Sequence, residues 1–378
     1  MSLQLHWFLP THGDGREVAK PSSGPAVPGA RREPDLDYLT QVALAVERFG
    51  LHGMLVPFGL FCEDPWIVAA ALAGRTRRVN FMVATRPGLM SPVLAAQSAA
   101  TLQRVSGGRL QLNVVTGGDA DEQRRYGDWL DHDQRYERTG EFLEVFRRAW
   151  SGDRFDFTGA HHQVAGGLLT RPYAGRPLTF VGGSSAAAQR VAAQHADVFL
   201  VWGESPPAIA GLISSAGGLA EAAGRELAYG SRFHVISRDT SAEAWRTARR
   251  LVDGMDPARI RQAQQRFARS ESEGQRRMAA LHNGHTDALE IYPNVWAGYG
   301  LVRPGVGTAL VGSHEEVADR IKEYAALGIE EFILSGYPHL EEAYWFGESV
   351  LPRLEREGLW VNPAEPSRAV KNAVPFAV

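Results

Sequence analysis

The apolar positions of the chain gather into eight short runs, at residues 4–10, 52–57, 79–85, 109–116, 177–183, 198–203, 228–238 and 331–337. They are rich in β-branched and aromatic side chains and too apolar to alternate cleanly, which is how strands buried on both faces read. Between them the spacing shifts to a helical period, clearest over residues 36–49, 91–105, 134–150, 185–196, 242–252, 315–327 and 340–356, with Gly50 and Gly328 placed to stop two of these helices. Eight strand–helix units predict a (β/α)8 TIM barrel; an open doubly wound sheet is the alternative of similar content. Polar residues and glycines crowd the end of each run, and a barrel of this kind carries its chemistry at the C-terminal ends of its strands.

Three segments exceed the minimal repeat. Residues 13–34, after strand 1, are rich in Pro, Gly, Ser and Arg and predict a long, lid-like loop. Residues 155–164, after strand 4, read as a hairpin. After strand 7, residues 255–308 combine a polar helix at 257–268 with the run Arg303-Pro-Gly-Val-Gly307, whose glycines can hinge. The barrel is expected to form one domain over residues 1–357, with 358–378 a tail over the surface or a neighbouring subunit.

Composition narrows the possibilities. The chain has 378 residues, 44% of them hydrophobic, enough for one large barrel with insertions. A net charge of −3 and the absence of a long Lys/Arg run argue against nucleic-acid binding. No basic-then-apolar leader opens the sequence and no stretch of about 18 apolar residues occurs, so a soluble, cytoplasmic protein with no membrane partner is expected. Cys62 is the sole cysteine, which excludes an intrachain disulfide and a cysteine-based metal cluster. The histidines show no metal-ligand spacing, so no metal is predicted.

Candidate chemistry sits at the strand ends. Strand 5 runs into Gly182, Gly183, Ser184 and Ser185 and then an alanine-rich helix, a pattern whose N–H groups and hydroxyls can cradle a phosphate. The same residues also suit a plain Gly-Gly turn with a serine N-cap. On strand 7, Arg232 and His234 share a face by the two-residue period. A lumenal guanidinium needs an anion, either a ligand or a carboxylate of the protein. Arg303 lies in the hinged insertion, His12 follows strand 1, and Tyr337 and His339 follow strand 8. Cys62, after strand 2, reads as a small buried hydrophobe more than a nucleophile. Strand 4 leads from Asn113 to Thr116 and then to two glycines beside which a flat ring could lie. No GxGxxG or GxxxxGK[ST] follows a strand, so dinucleotide and nucleoside-triphosphate sites lack support.

Longer runs carry a resemblance. They are Trp-Phe-Leu-Pro-Thr-His-Gly-Asp-Gly at 7–15, Cys-Glu-Asp at 62–64, Asn-Val-Val-Thr-Gly at 113–117 and His132-x-x-Arg135-Tyr136-Glu137. Gly-Gly-Ser-Ser at 182–185, Trp-Gly-Glu at 202–204, Arg232-x-His234 and Arg-Arg-Met-Ala-Ala-Leu-His at 276–282 follow. The series closes with Gly-Thr-Ala-Leu-Val-Gly at 307–312 and Leu-Ser-Gly-Tyr-Pro-His-Leu-Glu-Glu at 334–342. In this order, over residues 3–355, the chain resembles the bacterial-luciferase-like flavin monooxygenases, and specifically the two-component alkanesulfonate monooxygenases.

The resemblance implies that Tyr136, Gly183, Ser184 and Ser185 hold the FMN phosphate, while Thr85, Asn113 and Thr116 border the isoalloxazine with Cys62 close by. It implies that His12, Arg232, His234, Arg303 and Tyr337 face a sulfonate, with Trp202 and His339 lining the same substrate pocket. Reduced FMN would come from a separate NAD(P)H-dependent flavin reductase. With molecular oxygen it would cleave the carbon–sulfur bond to an aldehyde and sulfite, a proton being taken by His234 or through an Arg232/Tyr337 relay. Such barrels suggest a homodimer or homotetramer.

Departures bear on the substrate. Phe58-Gly-Leu-Phe61 stands where the family carries Thr-Gly-Arg-Ser, Val201 replaces a polar residue, and the first long loop is rich in arginine at Arg16, Arg31 and Arg32. These changes predict an organosulfonate other than a simple alkanesulfonate, sulfoquinovose above all. Two further readings are a non-catalytic flavin-binding barrel and a deazaflavin-dependent hydride-transfer enzyme of the same superfamily.

Overall fold

Successive side chains of a strand point to opposite faces, and on the first apolar run this sorts residues into two layers. Leu5 and Trp7 pack outward with Phe81, Val83 and Leu334, between sheet and helices. Phe8 packs inward with Leu55, Met82, Phe180, Leu200 and Ile333 to plug the lumen. In this computed structural model, which describes residues 2–16, 31–363 and 373–374, the same division recurs around a closed barrel.

Its strands are β1 (Gln4–Phe8), β2 (Gly53–Val56), β3 (Asn80–Thr85), β4 (Leu110–Val114), β5 (Thr179–Gly182), β6 (Val198–Trp202), β7 (Ala228–Arg238) and β8 (Ile329–Ser335). All eight pair in parallel. β1 lies between β2 and β8, with Trp7 opposite Met54 and Leu334. β7 closes the ring, placing Arg232 opposite Trp202 on β6 and Phe233 opposite Leu334 on β8. Each predicted run supplies one strand, so the TIM-barrel expectation holds.

Beneath the apolar plug, toward the N-terminal strand ends, lies a polar floor. His6 Nε2 meets Glu331 Oε2 at 2.5 Å, and the side-chain amides of Asn80 and Gln111 each lie 3.3 Å from His52 Nε2.

Two barrel helices, Pro65–Ala73 and Pro206–Ala222, are not among those marked by the helical spacing. The first is apolar on nearly every position and the second is rich in alanine and glycine, so neither shows an amphipathic period. Their starts are set by proline in the first turn, and Asp64 accepts hydrogen bonds from Trp66 and Ile67 N–H at the first.

The segment after β1 begins and ends as a strand pair, Asp14–Gly15 antiparallel to Arg31–Arg32; its residues 17–30 lie outside the described residues. The hairpin after β4 is Phe155–Thr158 with Gln163–Gly167. After β7 come helices Ser241–Asp253, Pro257–Ala268 and Glu273–Ala280, then the strands Glu290–Tyr292 and Val295–Trp296. A further strand, Ala309–Ser313, was not foreseen, because five residues ending in glycine and serine carry too short a pattern. It runs parallel to the upper half of β7, from His234 opposite Ala309 to Arg238 opposite Ser313. β7 therefore changes neighbour as it leaves the barrel. Of the tail, 364–372 and 375–378 lie outside the described residues, and Ala373–Val374 pairs with Arg176–Pro177 of the same chain. Among the described residues no helix is long and apolar enough to cross a membrane.

Candidate functional site

One cluster forms around Phe8 at the inner end of β1. The Arg232 guanidinium carbon lies 4.5 Å from the Phe8 ring centre and that of Arg303, from the insertion, 5.9 Å from the same ring. Nε and Nη2 of Arg232 are buried without a partner, and among the described residues neither arginine has an ion pair. Burial, reinforced by Arg303, pushes Arg232 down to about 9. Two cations on one ring, with no carboxylate between them, leave an electrostatic deficit that an anion would fill.

His234 is held from both sides. Its Nδ1 lies 2.8 Å from Ser335 Oγ, and Nε2 accepts from Arg303 Nη1 at 3.3 Å. Since a guanidinium only donates, Nδ1 carries the proton and donates to Ser335. Burial and the two arginines keep this imidazole well below its ordinary range, and therefore neutral. Tyr337 packs 5.5 Å from His234 and 4.8 Å from His339, ring centre to ring centre, while His12 lies 6.0 Å from Phe8 and 6.4 Å from His339. Arg232, His234, Arg303, Tyr337, His12 and His339 are thus one constellation.

A second cluster lies at the ends of β4, β5 and β6. Gly183 has φ +143°, and a Cβ there would stand 2.6 Å from Ala188 Cβ and 2.7 Å from the Tyr136 hydroxyl, so only glycine fits. Tyr136, on helix His132–Ser151, turns its hydroxyl toward Thr116 and Ser185, and burial raises it above its ordinary value. Ser185 caps helix Ala186–His195 by accepting from Ala188 N–H at 3.2 Å, and Gln189 Nε2 donates to the Ser184 carbonyl at 2.9 Å. The insertion roofs this cradle: a Cβ on Gly274 would lie 3.2 Å from the Trp202 ring and 3.5 Å from Ser184 Oγ. Arg277 on the same helix holds Glu204 through two contacts of 2.7 Å.

Trp202, opposite Arg232 across the β6–β7 ladder, connects the two clusters. Asn113 is buried beside Ala84 on β3, whereas Thr85 turns its hydroxyl back toward the Val83 carbonyl, 3.4 Å away. Cys62 feels Arg232 and Arg303, but burial pushes its thiol up to about 11, which favours the protonated thiol at neutral pH. Hydroxyls of Tyr136, Ser184 and Ser185 around a helix N-terminus fit a phosphate monoester. The two glycines after β4, by contrast, are covered by the protein itself: a Cβ on Gly117 would lie 1.4 Å from Gln123 Nε2 and one on Gly118 2.6 Å from Ser272 Cβ, so the opening expected there for a flat ring is filled.

Three participants escaped the sequence reading. Phe8 looked like core. Arg86, one residue beyond β3, packs 4.6 Å from the Phe58 ring and pairs with Glu122 at 3.0 Å. Asp14 was visible only within the His-Gly-Asp-Gly run. Its partner, His339, is 325 residues away in sequence yet has Nδ1 2.9 Å from Asp14 Oδ1.

Comparison with known proteins agrees with this architecture. Residues 3–331 match the model of the luciferase-like monooxygenase family. Among solved structures, a riboflavin lyase with modified FMN and riboflavin superposes with a TM-score of 0.81 at 22% identity, covering 97% of this chain and 94% of that one. EDTA monooxygenase from Chelativorans sp. BNC1 gives 0.78 at 21%, covering 98% and 97%. DmoA from Hyphomicrobium sulfonivorans gives 0.76 at 18%, covering 100% and 93%. At these identities the likeness to the solved structures is one of fold.

Proposed function

The chain belongs to the luciferase-like monooxygenase family, and from that premise we propose that it uses reduced FMN and molecular oxygen to cleave the carbon–sulfur bond of an organosulfonate. One sulfonate, one oxygen molecule and one reduced flavin give one aldehyde, one hydrogen sulfite, one oxidised flavin and one water. The observation that carries the substrate class is Arg232, with two buried nitrogens that have no hydrogen-bond partner among the described residues, beside Arg303, which forms no ion pair among them. A sulfonate is a permanent anion, and a guanidinium fork orients it without proton transfer.

Tyr136, Gly183, Ser184 and Ser185 would hold the flavin phosphate, with Asn113, Thr116, Thr85 and Cys62 along the ring. When bound, the reduced flavin supplies the two electrons that activate oxygen. Arg232 and Arg303 bind and orient the sulfonate, Trp202 separates it from the phosphate cradle, and the roofing helix excludes water. A separate NAD(P)H-dependent reductase would deliver the flavin, and the working form would be a homodimer or homotetramer. The apolar mouth at Phe58, Leu60 and Phe61, the last 55% exposed, bears on the choice between a linear alkanesulfonate and sulfoquinovose.

Sulfite release is the deciding measurement, with reduced FMN from a generic flavin reductase and a linear alkanesulfonate series beside sulfoquinovose. Flavin binding without sulfite from any of them rejects the reaction class, and turnover of the linear series alone rejects the sugar. Oxygen-independent turnover would point to deazaflavin-type hydride transfer instead.

A further inference from the structure

We propose that His339 is the proton acceptor of the site and that Asp14 is its positioning residue. The inference rests on the sulfonate-cleaving reading above for the identity of the proton's donor, but its geometry stands apart from it.

Asp14 is fully buried at the base of the first insertion and is shared by four donors, the nearest in sequence being Gly15 N–H, 2.8 Å from Oδ1. Its Oδ1 lies 2.9 Å from His339 Nδ1, and its Oδ2 accepts from His339 backbone N–H at 2.8 Å and from the Tyr38 hydroxyl. Burial alone would raise Asp14, but His339, Tyr38 and the Gly15 N–H bring it to about 2, so it is a carboxylate. A carboxylate accepts only, so the proton of a neutral His339 sits on Nδ1. The lone pair is then on Nε2, which is buried and has no hydrogen-bond partner among the described residues. Around that ring stand Phe8, which carries Arg232, and Tyr337 and His12. His234 is not equivalent: its Nε2 lone pair already accepts from Arg303. The charged and titratable groups about the dyad are His12, Tyr337 and His234 on the pocket side, and Tyr38, Arg32 and Glu341 behind Asp14.

In the step assigned to it, His339 Nε2 takes the proton from the carbon that bore the sulfur group. An oxygen atom from molecular oxygen takes the place of the sulfur group on that carbon, and the C–S pair departs with sulfite. The C–H pair then becomes the second carbon–oxygen bond of the aldehyde while the O–O bond breaks, its pair leaving on the other oxygen atom, which ends as water. The proton on His339 passes out with hydrogen sulfite. The oxidising equivalents come from oxygen and the reduced flavin, as in the overall reaction.

The test uses the full chain with octanesulfonate and sulfoquinovose as probes. Nitrogen-15 NMR of the flavin-free protein should show His339 as the Nδ1–H tautomer; the Nε2–H tautomer overturns the inference whatever the substrate. His339→Gln should lower kcat for sulfite release about 100-fold or more while KM changes little. Asp14→Asn should lower kcat for sulfite release about tenfold or more at little-changed KM, because the Nδ1–H tautomer loses the carboxylate that fixes it. A purely structural role predicts lost protein or raised KM with kcat unchanged, and that result also overturns it. Wild type that releases no sulfite defeats the proposed function, whereas a working wild type matched by His339→Gln defeats only the present assignment.

Discussion

The chemistry of the site reduces to a few side chains whose partners are missing or misplaced by ordinary standards. Arg232 is the clearest, since a buried guanidinium normally meets a carboxylate. Arg232→Lys keeps the charge but loses the fork, so sulfite formation should fall about 100-fold or more in kcat/KM, with FMN affinity within about twofold. Steady-state kinetics beside a flavin fluorescence titration checks both halves, and a sulfonate-competent Lys variant would remove the anion clamp from consideration. Gly183 makes the opposite point, because what matters is an absent atom. Gly183→Ala would drive its Cβ into Ala188 and the Tyr136 hydroxyl, costing about 1–3 kcal/mol in backbone strain and weakening flavin binding by at least about tenfold. Titration of FMN fluorescence against the variant reads this directly. Arg232 and His234 were legible in the sequence because a two-residue period fixes their common face. Asp14, Ser335 and Phe8 were not, because their roles come from contacts across the barrel that no local period encodes.

Elements decide how the site is closed. Helix Glu273–Ala280 reaches the phosphate cradle through Gly274 and is pinned to the end of β6 by Arg277 and Glu204. Arg277→Met leaves Glu204 buried and unpaired, which typically costs several kcal/mol locally, on the order of 3–5. The expected result is a rise of about tenfold in the KM for reduced FMN and a larger share of oxygen ending as hydrogen peroxide. The peroxide-to-sulfite ratio measures it, and an unchanged ratio would mean that the helix does not seal the pocket. At this scale the eight strands could be read from sequence because parallel strands are apolar on both faces. The strand Ala309–Ser313 and the helices Pro65–Ala73 and Pro206–Ala222 could not, since shortness in one case and uniform small or apolar residues in the others erase the pattern.

Across the molecule, the polar floor of the barrel governs the response to pH. Burial lowers His6 and His52 to about 3, so their contribution to stability is full above pH 6.5 and drains away as pH falls toward 3. Burial raises Glu331 to about 7, so its contribution is full below pH 4.5 and is lost as pH rises through about 7. As pH falls from about 7.5 to about 5.5 the contribution of the two histidines shrinks while that of Glu331 grows, so the two responses oppose each other. Glu331→Gln removes the offset, so its urea midpoint should drop farther than that of the wild type over the same interval; equal drops would disprove the compensation. The changeover of β7, from β6 and β8 below to Ala309–Ser313 above, lets one stave belong to two cooperative units. His234 stands at the seam. Gentle heating should loosen the outer unit first and spread the guanidinium–imidazole pair apart, so that turnover fades at a temperature where circular dichroism still reports an intact barrel.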